Sequence, residues 1–138
     1  MLTASDLEVN VLEFRQRSYQ FDRLATVEGT ELAVFARTET ESESQFRPRL
    51  LHLRLVVPLA WIVQDEQADL LRVAKDGRAL PMAPNAPVVE VRAERPEFKE
   101  DGVAWRRVER TSEALVYLPA EWADRALAPP AAQALGLP

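Results

Sequence analysis

Few residues of this sequence have types and spacings that could support catalysis, and the single histidine is the first of them. His52 lies between leucines in the apolar run LLHLRLVVPLAWIV, which covers positions 50–63. A histidine acts as a general base only when a nucleophile or an orienting acid is held beside it. Because no serine or carboxylate stands at a suggestive spacing from His52, we expect a structural or surface role for it and predict that the protein is not an enzyme.

Arginines form the one pattern in the chain that suggests binding. They cluster around the apolar run at 47–54 and again beside a tryptophan at 105–110. Strand-borne arginines next to aromatic rings are typical of single-stranded nucleic-acid binders, which combine phosphate contacts with base stacking. Acidic residues are interleaved with nearly all of these arginines and the net charge is −5, so ion pairing across strands is the simpler interpretation. The candidate binding residues are Arg47, Arg49, His52, Arg54, Trp105, Arg106, Arg107, Arg110 and Trp122.

Several familiar chemistries are excluded by composition and motif. Cysteine is absent, which rules out disulfides, thiolate nucleophiles and cysteine metal sites. The four glycines are scattered and form neither a dinucleotide-binding motif nor a P-loop. The carboxylates at 65–69 and 94–101 lack the ligand spacing of a calcium loop and are expected in solvated turns. We therefore predict no metal and no cofactor.

The run at 50–63 is the element that must position the histidine and one of the arginines. Its aliphatic residues at odd positions, from Leu51 to Val57, fall on one side of an extended strand, while His52 and Arg54 fall on the other. The proline that follows removes a backbone donor, so the strand should stop, bulge or turn there. The run is too short to cross a bilayer, so we predict a strand in the middle of the core and no membrane partner.

The N-terminal segment allows two interpretations. Ser5 and Glu8 match a capping box that would begin a helix, whereas the aliphatic residues at 7, 9 and 11 alternate as in a strand. We favour two strands, at about 7–15 and 18–27. The turn that follows contains Gly29, which can take a positive φ, and it predicts a returning strand.

Polar and proline-rich segments separate the remaining strands. The segment 37–45 carries no aliphatic residue and is expected to be a mobile polar loop or a long hairpin end. The Asp-Gly pair at 76–77 predicts a hairpin, with a helix over 66–75 as the alternative. Downstream we predict a Pro-rich connector at 81–87, a strand from 88, a charged loop over 94–102, and strands at 103–108 and 115–118.

The C-terminus is expected to close the fold with a short helix. Pro119 suits the first position of that helix, and Trp122 on its apolar face is expected to cover the sheet, with a contact role as the alternative. The tail at 128–138 is rich in proline and alanine. It could add a helical turn, fray, or extend onto a neighbouring molecule.

Together these elements predict a mainly β (or α+β) protein, an antiparallel sandwich or open barrel of about 8–10 short strands with a short C-terminal helix. We expect one domain over 1–138 in the cytoplasm. The favoured function is a non-enzymatic protein-interaction module, such as a small regulator, an inhibitor or an assembly subunit, whose partner is another protein or a second copy. The alternatives are a single-stranded nucleic-acid binder that uses the arginines with Trp105, which the net charge disfavours, and a small-ligand-binding β-cavity protein.

Overall fold

The computed structural model of the protein describes residues 2–41, 48–75, 78–79, 97–100 and 102–138. Its strands are β1 (Val11–Phe14), β2 (Arg17–Val27), β3 (Thr30–Glu41), β4 (Arg49–Pro58), β5 (Ile62–Asp65), β6 (Leu70–Lys75), β7 (Arg78–Ala79), β8 (Glu97–Glu100), β9 (Val103–Thr111) and β10 (Ala114–Pro119). Its helices are α1 (Ala4–Glu8), α2 (Ala123–Ala126) and α3 (Pro129–Ala134), with 3-10 turns at Leu59–Trp61 and Ala120–Trp122.

The strands form one sheet that curls into a half-barrel. Their order is β5-β6-β1-β2-β3-β4-β10-β9-β8, with β7 paired to β6. The prediction of a mainly β fold with a short C-terminal helix is confirmed, and of the two predicted arrangements the described strands form the open barrel. The sheet is mixed rather than wholly antiparallel, because β1 pairs with β6 and β4 pairs with β10 in parallel.

The predicted central strand is β4, which lies between β3 and β10. Its aliphatic residues at odd positions, from Leu51 to Val57, are buried, as the alternation requires. The strand ends at Pro58, where a 3-10 turn follows. The prediction that this run supplies the middle of the core is therefore confirmed.

The two faces of the sheet bury separate cores. The concave face carries the larger one, whose biggest members are Phe14, Tyr19, Phe35, Trp105 and Tyr117. On the convex face, valines and leucines from β3, β4 and β10 pack beneath Trp122 and Leu135 of the C-terminal segment. Burying one side chain of this size stabilises the fold by roughly 1.5–3 kcal/mol, so both layers matter for stability.

Side chains join the turn between β1 and β2 to an edge of the sheet without backbone pairing. The turn between β1 and β2 reaches the edge strand β8, where Arg15 Nη1 lies 3.4 Å from Glu100 Oε1. The Arg15 guanidinium also covers the Phe98 ring at 4.1 Å from its centroid. Behind this contact, the Phe14 and Trp105 ring centroids are 4.8 Å apart.

At the N-terminus, the predicted strand over 7–15 is wrong for its first residues. A helix, α1, forms instead, and its cap is Thr3, whose backbone N–H donates to Asp6 Oδ2 at 2.7 Å. The capping box therefore starts two residues before Ser5, and full burial of Leu7 fixes the helix on the core. The strands then follow as β1 and β2, and the predicted turn containing Gly29 is confirmed by a φ of 79° at that residue.

Two polar segments form strands where loops were expected. β3 continues to Glu41, which pairs with Arg49, so 37–41 is a long hairpin end, and 42–45 lies outside the described residues. β8 occupies 97–100 within the predicted charged loop, because Phe98 packs inward and Glu97 pairs across the sheet with Arg106. The predicted hairpin of β6 and β7 is confirmed by the Lys75–Arg78 pairing. The residues of its turn, the Pro-rich connector at 81–87 and the strand from 88 lie outside the described residues.

The C-terminal segment folds back onto the convex face. After the 3-10 turn that holds Trp122, α2 ends before Pro129, which begins α3 at a position where its missing N–H costs nothing. Leu135 is fully buried and Trp122 is 8% exposed. Residues 128–138 therefore lie against this molecule and do not extend away from it. Burial of the Leu135 side chain stabilises this position, and an extended tail would leave that side chain in water.

Candidate functional site

A polar groove lies on the convex face of the sheet, beside the part that the C-terminal helices cover. Its volume is about 480 Å³. Its floor is Ala36 and Phe21 also lines it, and its polar lining residues are Ser18, Gln20, Asp22, Arg37, Thr38, His52 and Arg54. Two of the candidate binding residues from the sequence, His52 and Arg54, therefore line the same groove.

The groove exists because a small residue lies between longer ones across three strands. In the register of the sheet, Ala36 of β3 lies opposite Gln20 of β2 on one side and Arg54 of β4 on the other. Side chains at paired positions share a face of the sheet, so the methyl group of Ala36 forms a floor between two taller walls. One step further along the same face, Val34 and Val56 are buried beneath the C-terminal segment, and there the groove ends.

No carboxylate oxygen in the described part of the chain lies within 4.0 Å of the Arg54 guanidinium nitrogens. Its Nη1 donates to the Leu53 carbonyl at 3.3 Å, and its buried Nε has no hydrogen-bond partner among the described residues. Asp22, the acid in the groove wall, is contacted instead by Arg23 Nε at 3.2 Å. The groove therefore holds a cation whose hydrogen-bonding capacity is largely unused.

His52 occupies the position beside Arg54 on the same face of β4. Its backbone N–H donates to the Glu113 carbonyl at 2.7 Å, a bond that fixes the start of β10 against β4. Thr38 lies directly opposite it in β3. No hydrogen bond joins the imidazole to a carboxylate of the described residues, so the orienting acid that a catalytic histidine needs is not found there.

The second arginine group does not join this site. Arg106 Nη2 lies 2.8 Å from Glu97 Oε1 and its Nη1 lies 3.7 Å from Asp124, so this arginine is ion-paired across strands as the sequence suggested. Arg110 Nε donates to the Pro138 carbonyl at 2.9 Å. Arg107 has interactions of its own near Tyr117, its partner in the register. Arg106 and Arg110 are therefore bonded within the fold, and none of the three arginines lines the groove.

The remaining predicted residues lie elsewhere or face inward. Trp105 is fully buried on the concave side, and Trp122 lies under the Arg125 guanidinium, 4.0 Å from its ring centroid. Arg49 begins β4 and has interactions of its own, while Arg47 lies outside the described residues. Base stacking on Trp105, which the nucleic-acid hypothesis requires, would need this ring to leave the core.

Sequence reasoning missed a second polar cluster, at the end of the barrel where β2 begins and β3 ends. There Arg17 Nε and Arg37 Nη2 lie 3.9 and 4.0 Å from Glu39 Oε1, and the Arg37 guanidinium is 5.8 Å from the Tyr19 ring centroid. The only available signal was the alternation of polar with apolar residues at the ends of β2 and β3. Because each residue is separated from the others in sequence, the cluster appears only once the strands are paired.

Burial controls the ionisation of the groups in this second cluster. It raises the pKa of Tyr19 and of Tyr117 above the ordinary value of 10.0, and nearby arginines only partly oppose this. Burial also raises the pKa of Glu100 above 4.5, while the Arg15 charge lowers it in part. Both tyrosines are therefore neutral donors at physiological pH.

Comparison with known proteins gives no relative from which a role could be inferred. No family model matches the chain, and no curated protein and no solved structure is significantly similar to it. In the described ranges, no three histidine, aspartate or glutamate side chains are placed to hold a metal ion. No helix of those ranges is both long and apolar enough to span a membrane.

Proposed function

We propose that this protein is a non-enzymatic protein-interaction module that holds an acidic segment of a partner in the convex groove. The observation that carries the proposal is the guanidinium of Arg54, which lacks a carboxylate partner among the described residues. A cation that is partly desolvated and unpaired costs free energy, and a carboxylate from another molecule would offset that cost.

The chemistry of the groove favours a carboxylate as the bound group. The planar guanidinium presents several N–H donors in a fixed geometry that matches a carboxylate. Ser18 and Thr38 add hydroxyl groups, and Gln20 adds an amide. These neutral donors can bind the second oxygen or the backbone of the same segment.

The surroundings of the groove favour a partner protein over a small molecule. The groove is open and runs along β3, so an extended segment can lie in it. Leu50 is 47% exposed and precedes His52 by two positions, which places it on the same face of β4. It offers an apolar contact next to the charged one, a combination typical of protein interfaces.

The alternatives have less support from the described residues. The concave side is filled by large side chains, including the Phe14 and Trp105 rings in mutual contact, which leaves little room for a ligand in a β-cavity. Nucleic-acid binding through Trp105 would require the exposure of a buried ring. Binding in the convex groove requires no such rearrangement.

Affinity capture with matched bait variants tests the proposal. The baits are the wild-type protein, Arg54→Glu, and the control Lys99→Glu, which makes the same charge reversal at an exposed position of the edge strand β8. We expect one protein to be captured by the wild type and by Lys99→Glu, with or without nuclease, and to be lost with Arg54→Glu. Light scattering of the purified protein determines whether that partner is a second copy of this chain.

Two outcomes would contradict the proposal. Capture that is equal with Arg54→Glu and wild type would place the partner surface elsewhere. Loss of the captured material after nuclease treatment would favour the nucleic-acid alternative.

A further inference from the structure

The convex face of β3 and β4 forms a strip that is open to solvent at one end and closed at the other. Three pairs of residues lie side by side along it in the register of the sheet, Thr40 with Leu50, Thr38 with His52, and Ala36 with Arg54. Exposure falls along the strip, since Leu50 is exposed, Arg54 is partly buried and Val56 is fully buried. A segment that lies in the groove can therefore leave it over Leu50 but not over Val56.

Leu50 is an apolar side chain in contact with water at the open end of the strip, where 47% of its surface is exposed. β10 begins at Ala114, which pairs with His52, so Leu50 lies beyond the start of that neighbouring strand. Its partner in β3 is Thr40, which is itself exposed. An apolar side chain of a bound segment would remove the Leu50 surface from water and stabilise the complex.

The separation of Leu50 from Arg54 determines which conformation of a partner can contact both. The two residues are four positions apart on one face of a strand, which corresponds to about 13 Å at roughly 3.3 Å per residue. A second extended segment has the same rise, and its side chains four positions apart also share one face. In an α-helix, residues four positions apart are separated by only about 6 Å along the axis. The strip therefore fits an extended segment.

The other charged residues that line the groove already have partners. Asp22, on the β2 side, is contacted by Arg23 Nε at 3.2 Å. Arg37 Nη2 lies 4.0 Å from Glu39 Oε1. Arg54 differs from both, because its guanidinium has no carboxylate partner in the described ranges of the chain. An acidic side chain of a bound segment is therefore expected at Arg54, near the closed end.

We propose that the groove selects an extended segment in which an acidic residue and a large aliphatic residue are four positions apart. Arg54 binds the acidic side chain, and Leu50 packs against the aliphatic one. The residue midway between them lies over His52 and Thr38, where the groove is polar. Both chain directions satisfy this spacing. The inference rests on the proposed function and adds the conformation and residue pattern of the partner.

Amide chemical-shift titrations of the full chain with four short peptides of identical composition test the proposal. Each peptide carries one glutamate and one leucine among serines and is blocked at both ends. The leucine lies four positions before or after the glutamate in two peptides, and three positions before or after it in the two controls. We expect at least one peptide with the spacing of four to bind about tenfold more tightly than both controls, because only its leucine faces Leu50.

Matched variants of the protein assign the preference to Leu50. In Leu50→Ser, the difference between the two spacings should disappear. The control Val63→Ser makes a comparable change at another exposed apolar residue, in the distant edge strand β5, and should retain the full preference. Far-ultraviolet circular dichroism establishes that each variant is folded.

Three outcomes would overturn the inference alone. They are equal affinity for the two spacings, a preference that persists in Leu50→Ser, and binding of a glutamate-only peptide but of none of the four spaced peptides. In each case the groove still binds an acidic segment, and only the residue pattern is wrong. Failure of the glutamate-only peptide and of all four spaced peptides to bind would refute the proposed function together with this inference.

Discussion

The turn between β1 and β2 offers a quantitative test of the backbone geometry. Its two residues, Arg15 and Gln16, both have positive φ angles, 52° and 63°. Two-residue hairpin turns of this kind favour glycine at the second position. A side chain in the left-handed region costs about 1–2 kcal/mol. In addition, the buried Nε2 of Gln16 has no hydrogen-bond partner among the described residues.

Replacing this glutamine with glycine should therefore stabilise the protein. Gln16→Gly removes the backbone strain and the unpaired amide. It also makes the unfolded chain more flexible, which opposes folding by about 0.4–1 kcal/mol. The net gain in the free energy of unfolding is about 1 kcal/mol, which raises the melting temperature by roughly 3–4 °C for a domain of this size. The matched control is Gln16→Ala, which removes the amide and keeps the strain.

Equilibrium unfolding in denaturant of the wild type and both variants measures these differences. We expect Gln16→Gly to be more stable than Gln16→Ala by about 1 kcal/mol after the entropy of glycine is counted. Equal stability of the two variants, or a less stable glycine variant, would refute the assigned turn geometry.

Three further predictions concern burial. Burial raises the pKa values of both tyrosines of the chain, Tyr19 and Tyr117, above 10.0. The folded state therefore favours the protonated phenols, and the stability that this contributes is lost as the pH rises past 10.0. The phenolate absorbance of the folded protein should therefore stay low at pH 10 and rise only with alkaline unfolding, and an ordinary titration would contradict this. The raised pKa of Glu100 contributes stability below pH 4.5 that is lost as the pH rises through the raised value. Glu100→Gln should therefore lose less stability than the wild type just above pH 4.5. An equal change of unfolding free energy with pH in the two proteins would disprove this. Leu135→Ala should lower the free energy of unfolding by about 2–5 kcal/mol, because this side chain is fully buried. The control Gln133→Ala, at an exposed position, should change it by less than about 0.5 kcal/mol. Equal losses of stability in the two variants would argue against the packing of the C-terminal segment on the sheet.

Local patterns were sufficient to predict the elements whose burial alternates along the chain. The aliphatic residues from Leu51 to Val57 alternate without interruption, so β4 and its buried face were predictable. Gly29 marked the turn between β2 and β3 because few other residues adopt its backbone conformation readily.

Elements whose stability comes from distant partners were not predictable. β8 is a charged segment that forms a strand because Phe98 packs against the concave core and Glu97 pairs with Arg106. The parallel pairing of β4 with β10 joins segments about sixty residues apart, and no local signal encodes it. The short helix α1 was the alternative that the sequence left open, and strands were favoured because the aliphatic residues at 7, 9 and 11 alternate; its cap lies at Thr3, two residues before the box that the sequence suggested.

The candidate site was predictable only in part, for the same reason. Alternation placed His52 and Arg54 on one face of a strand, and this prediction was sufficient to select them. The groove, however, depends on Ala36 lying between Gln20 and Arg54, which requires the register of three strands. The sequence suggested ion pairing for all of these arginines, and it could not reveal that Arg54, unlike Arg106, has no carboxylate within reach among the described residues.

The most direct test of the groove is an amide chemical-shift titration of the wild-type protein with a short glutamate-only peptide. We expect the signals of Ala36, Thr38, His52 and Arg54 to shift, the shifts to weaken as salt is added, and a glutamine-only peptide of equal length to have no effect. In Arg54→Gln the same titration should leave these signals unmoved. Shifts that persist in Arg54→Gln, or that appear equally with the glutamine peptide, would contradict the assignment of the groove as a site for acidic segments.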